Sequence, residues 1–154
     1  MNIKVLLTAK TTEPYINEGI RQYVKRLNHY ARIEWKELTL RKKNSNPLKV
    51  AEDEAEMNLQ LIPKAAFVVL LDEKGKEFSS EGFAQWLEKR LINQSNDLVF
   101  VTGGAYGFHQ LMYDRADLLL SLSKFTFTHQ MARLIFAEQL YRAFTIIRNE
   151  KYHH

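Results

Sequence analysis

Residues 65–71 (AAFVVLL) and 98–101 (LVFV) are apolar throughout. A strand with one wet face alternates between apolar and polar positions. A short run without alternation belongs inside a sheet covered on both sides. Helices supply that cover, because parallel strands need long crossovers. This requirement narrows the fold to layered α/β architectures, and the segments between the runs have to be the crossovers.

Residues 2–8 (NIKVLLT) form a further short run with β-branched residues, predicted as a buried strand. Pro14 suits a first helical turn, and Tyr15, Ile16, Ile20, Tyr23, Val24 and Leu27 follow at helical spacing, predicting a helix over 14–29. Residues 32–40 (RIEWKELTL) alternate with one phase change and predict a strand with one less buried face. Residues 41–47 (RKKNSNP) are a polar, basic loop, and 48–62 predict a helix ended by Pro63. After the 65–71 strand, 72–76 (DEKGK) reads as a loop. Ser79 or Ser80 then caps a helix carrying Phe83, Trp86, Leu87 and Leu91. Beyond the 98–101 strand lie a glycine loop over 103–107 and a short helix over 108–116. A fifth strand over 117–121, a Ser/Thr/Phe loop over 122–128 and a helix over 129–148 complete the pattern. Residues 1–154 thus predict one domain, three-layer α/β with a parallel-rich sheet.

The absence of cysteine excludes disulfides, thiolate nucleophiles and Cys-ligated zinc. Histidines at 29, 109, 129, 153 and 154 lack metal-ligand spacing, so no metal site is expected. No nucleophile elbow or P-loop occurs. No apolar stretch approaches the ~18 residues of a membrane span, and no signal peptide is recognisable, so the expectation is a cytoplasmic protein with no membrane partner. Between Arg21 and Lys49 nine Lys/Arg face two Glu, a local net charge of +7 against −3 for the remaining chain. Such concentration suits a polyanionic partner, although a solvated helix face with a basic linker has the same composition.

The last predicted helix has two apolar faces. Phe136, Leu140, Ala143, Phe144 and Ile147 form one, and Met131, Leu134, Ile135 and Tyr141 the other. One face fits the sheet, and the second predicts a homodimer, the alternative being a helix buried within one subunit. Glu138 and Arg142 stand at i, i+4, where they can pair.

Two strand ends carry loops rich in glycine or hydroxyls, an arrangement that builds a binding site at the carboxyl edge of a parallel sheet. The glycines at 103, 104 and 107 do not follow the dinucleotide-binding spacing. The motifs VTGGAYG, LSKFTFTHQMAR, AEQLYRAF and the ending YHH, in this order, together resemble the SPOUT-class RNA methyltransferases. Within that class they are similar to the small bacterial enzymes that methylate N3 of a pseudouridine in large-subunit (23S) ribosomal RNA. The similarity extends over the full chain, including LLDEKGKEFSSEGFA. Two departures stand out: Thr128 replaces the usual proline before His129, and the glycine loop opens with Thr102.

The resemblance implies a C-terminal deep trefoil knot that holds S-adenosylmethionine in a bent form between three loops. Carried onto this chain, they comprise Leu71 with the loop after it, then Gly103, Gly104 and Gly107. The third holds Leu122, Ser123, Lys124, Phe125, Thr126, Phe127, Thr128 and His129. It also implies ribosomal RNA, on the assembled ribosome, as partner, and a second subunit completing the RNA site. An activated methyl leaves the protein to supply proximity and help with the N3–H proton. Arg142, His129, Tyr152 and His153 are the candidate catalytic groups, with Tyr152 and His153 closing over the base. The alternative is a non-catalytic RNA- or ribosome-binding module of the same fold.

Overall fold

A computed structural model describes residues 1–153. His154, the end of the predicted tail, lies outside the described residues. The elements run β1 (Ile3–Thr8), α1 (Pro14–Leu27), β2 (Ile33–Leu38), α2 (Pro47–Leu61), β3 (Phe67–Glu77), α3 (Ser80–Asn93), β4 (Leu98–Thr102), α4 (Gln110–Arg115), β5 (Leu118–Ser121) and α5 (His129–Ile147). A 3₁₀ turn, Lys151–His153, follows. The strands form one all-parallel sheet in the order β2-β1-β4-β3-β5.

The two doubly apolar runs lie side by side as β3 and β4, with Val68, Val69, Leu70 and all of Leu98, Val99, Phe100 and Val101 fully buried. One face packs on α1, α3 and α5 through Leu27, Leu87, Phe136 and Leu140. The other packs on α2 and α4 through Ala55 and Met112. This three-layer arrangement is the one the apolar runs demand. Caps explain the helix starts: the side chains of Asn46, Ser79 and Thr128 accept from Leu48 N, Gly82 N and Met131 N.

Three observations correct the sequence reading. The segment expected as a loop over 72–76 continues β3 instead. Its register against β5 shifts between Leu71 and Lys76, and Gly75 passes so close that a Cβ would fall 2.5 Å from the Leu119 carbonyl. Pairing with β5, not local propensity, makes this polar stretch a strand. Secondly, α1 covers part of the second face of α5: Leu134 packs where a Gly19 side chain would stand, and Tyr141 meets Tyr23 and Tyr30. Met131 and Ile135 stay half-buried. Thirdly, the C-terminal tail, a segment that ordinarily frays, is folded back on α5, secured upstream by the Tyr30 hydroxyl donating to Glu150 Oε2 at 2.6 Å.

Candidate active site

Residues 71–74 of β3, at its register shift, and the carboxyl ends of β4 and β5 open into one cleft of about 420 Å³, a volume typical of small-molecule sites. Its walls include Leu71, Gly103, Gly104, Gly107, Leu122, Ser123, Phe125, Thr126, Phe127 and His129. Two residues assigned to it sit elsewhere. Lys124 is exposed and not part of the wall, and the Thr128 hydroxyl caps α5. The glycine loop closes on itself through Gly107 N–H donating to the Gly104 carbonyl, with Gly107 at φ +71°. That left-handed conformation is the reason for a glycine at 107.

The β5 loop is shaped by its own hydroxyls. Ser121 Oγ donates to the Ser123 carbonyl, and Ser123 Oγ accepts from Phe125 N. Thr126 Oγ1 donates to Glu73 Oε2 at 3.0 Å, bridging it to the middle of β3. The Phe125 side chain is 81% exposed, a flat apolar surface at the cleft mouth. Asp72 accepts from the Tyr113 hydroxyl, whose pKa is pushed up to about 12 by burial and then by that carboxylate. Backbone groups, carboxylate acceptors and aromatic faces in one cleft can hold a heterocycle with hydroxylated and charged appendages. Phe108 and Tyr113 are wall residues that sequence reasoning did not single out, whereas Asp72 and Glu73 belong to the segment expected after Leu71.

His129 borders the cleft at the start of α5. Burial, then the Arg133 guanidinium, hold its pKa below the ordinary histidine value. Its Nε2 lies 3.3 Å from the Gln130 side-chain amide, which also donates to the Lys10 carbonyl while Gln130 Oε1 accepts from Thr12 N. Arg133, fully buried, donates to Thr11 Oγ1 and the Thr8 carbonyl at 2.8 and 2.6 Å. The start of α5 thus fastens the loop after β1 beside the cleft.

The other three candidate groups gather elsewhere. Arg142 donates twice to Glu138 Oε1, at 3.0 Å through Nε and 2.6 Å through NH2, and that hydrogen bond raises its pKa. It lies 4.9 Å from the Tyr152 ring centre and 3.1 Å from His153 Nδ1. A guanidinium only donates, so Nδ1 accepts and Nε2 carries the proton, directed at Glu81 Oε1 2.8 Å away. The Tyr152 hydroxyl donates to Glu138 Oε1 and contacts Tyr23; burial first, then these neighbours, raise its pKa. Thirteen residues of α5, about 20 Å of helix, separate Arg142 from His129. One subunit therefore divides the predicted catalytic set into a cleft and a tail cluster.

The chain matches the family described as predicted SPOUT methyltransferase over residues 1–153. This chain belongs to the SPOUT methyltransferase family. It is 46% identical to proteins called ribosomal RNA large subunit methyltransferase H from Christiangramia forsetii and Parabacteroides distasonis, over all of this chain and 99% of each relative. A solved structure of a probable methylase family protein from Haemophilus influenzae matches with a TM-score of 0.57 at 11% identity, covering 97% of this chain and 67% of that one. This likeness shows that the two proteins share a fold. Among the described residues no helix is long and apolar enough to cross a membrane, and no cluster of three or more His, Asp or Glu could hold a metal.

Proposed function

We propose that this SPOUT protein is an S-adenosylmethionine-dependent methyltransferase acting on N3 of a pseudouridine in 23S ribosomal RNA of the assembled ribosome. It works as a cytoplasmic homodimer, with the C-terminal segment knotted around the cofactor cleft. The observation that carries the reading is the convergence of the middle of β3 with the loops after β4 and β5 on one cleft. Family membership and the names borne by the full-length relatives support it.

The cleft suits the cofactor. The Asp72 and Glu73 carboxylates can accept from hydroxyl or ammonium groups, and the glycine loop brings backbone close. When bound, S-adenosylmethionine supplies an already activated sulfonium methyl. The chain then has to place the base in line with it and ease the loss of the N3 proton. Arg142 offers a fixed positive charge to the developing imide anion. Tyr152 and His153 close over the base, and His153 accepts a proton only after Nδ1 releases Arg142. The distance along α5 supports giving this work to the tail of a second copy, leaning over the first copy's cleft. The half-buried Met131 and Ile135 are the apolar side chains available for that contact.

Calorimetry with S-adenosylmethionine and identification of the methylated nucleoside from ribosomes test the reading. Binding with N3-methylpseudouridine as product is expected. RNA binding without detectable cofactor binding at millimolar concentration would leave the non-catalytic module. Removing Tyr152, His153 and His154 should abolish methyl transfer and spare cofactor binding; full activity in that truncation removes the tail from the mechanism. Light scattering of an 18.1 kDa species at micromolar concentration would refute the dimer.

A further inference from the structure

The three glycines of the cleft loop have different physical reasons. A Cβ at Gly103 would meet Gly107 and the Phe108 ring at 3.6 Å, an ordinary contact, and a Cβ at Gly107 would meet nothing within 4 Å. At Gly104 it would fall 2.8 Å from Glu54 Oε2, 3.0 Å from Oε1 and 3.3 Å from Cδ. The room beside this glycine is taken from behind by a carboxylate on α2.

Glu54 is only 7% exposed and faces inward with Val50, Ala51, Ala55 and Asn58. Its Oε1 has no hydrogen-bond partner among the described residues, nor do Asn58 Oδ1, Thr102 Oγ1 and Arg133 Nε nearby. Burying a carboxylate without such partners is unfavourable. Stability alone therefore does not explain an acid here, and the attraction of Lys43 and Arg133 only moderates the cost. What the side chain does is fill the space beside Gly104, whose carbonyl accepts the Gly107 N–H that closes the loop.

We infer that Glu54 is a positioning residue for the cofactor cleft, acting through close contact with Gly104. The role of the loop rests on the function proposed above; the contact that holds it does not. Glu54 is not among the residues of the cleft wall, so it acts from outside the site.

A double-mutant cycle tests the inference in the full-length protein. Two quantities are read: affinity for S-adenosylmethionine by calorimetry, and amide hydrogen exchange over residues 103–107 without cofactor. Gly104→Ala and Glu54→Ala should each weaken binding about tenfold and speed loop exchange, the size of a close-contact coupling. The double variant should be no weaker than Glu54→Ala alone, because the new methyl fills the vacated space. Glu54→Gln, equal in shape, should stay within about twofold of the parent, since the contact and not the charge is at work. Multiplying effects in the double variant, or a neutral Gly104→Ala, overturn the inference. A Gly104→Ala protein that folds only in the Glu54→Ala background supports it, and one that folds in neither overturns it. Failure of the parent to bind S-adenosylmethionine would refute the cofactor reading alone, because the exchange measurement still reports whether Glu54 holds the loop.

Discussion

Gly75→Ala should be among the most damaging single-methyl changes in this protein. The new Cβ would lie 2.5 Å from both Leu119 carbonyl atoms and 2.6 Å from Leu120 N, whereas ordinary contact begins near 3.4 Å. These are backbone atoms of a paired strand, so no side chain can swing away. β5 has to retreat by roughly 1 Å, which stretches adjoining ladder bonds beyond hydrogen-bonding range. Two such bonds at about 1 kcal/mol each, with about 1–3 kcal/mol for the overpacked contact, give a loss of about 3–5 kcal/mol. That is a large fraction of a typical domain stability of about 5–15 kcal/mol. Urea unfolding followed by circular dichroism measures it, with the exposed Lys74→Ala as a control expected within about 0.5 kcal/mol. Since Leu120 and Leu122 line the cleft, affinity for S-adenosylmethionine should fall as well. A stability loss below about 1 kcal/mol for Gly75→Ala would mean that β3 does not run past β5 in this register.

Other perturbations follow from single contacts. Thr128→Ala removes the cap on Met131 N and should cost about 1 kcal/mol in urea unfolding. Burial raises the Glu54 pKa, so folding disfavours the ionised form. The penalty is full above the folded pKa and lifts as pH falls through it towards the ordinary carboxylate value. Glu54→Gln should therefore stabilise the protein at neutral pH, with an advantage that shrinks on acidification; urea midpoints at both pH values check this. Charge reversal at Arg41, Lys42 and Lys43 should weaken RNA binding and flatten its dependence on salt, and an unchanged slope would make the segment a linker.

The layered fold was legible because β3 and β4 are apolar at successive positions, which only a doubly covered sheet accommodates. The second half of β3 was not. Its sequence DEKGKE has the polarity of a loop, and only pairing with β5 keeps it extended. Gly19 reads as a weak point in a helix, yet it is where Leu134 of α5 docks. The glycine and hydroxyl loops of the cleft stood out by composition and position as one site, and the third segment, after Leu71, came with the resemblance to SPOUT enzymes. The gathering of Arg142, Tyr152 and His153 away from His129 depends on the length of α5 and the fold-back of the tail, neither of which a motif encodes. Glu54 and Arg133 were hidden for another reason: a charged residue on an amphipathic helix is normally in water, and nothing local marks these two as buried.

The strand order also sets a timetable. β1 lies between β2 and β4, and Ile3 pairs with Leu98 across most of the chain. Sheets built from such distant partners fold slowly, in milliseconds to seconds. During synthesis at about 5–20 residues per second, β1 leaves the ribosome roughly 5–20 s before β4 exists to cover its second edge. For that interval one of the most apolar strands of the protein is an open template for pairing with other chains. Yield in a cell should therefore respond to chaperones that hold nascent chains far more than the stability of the finished domain would suggest.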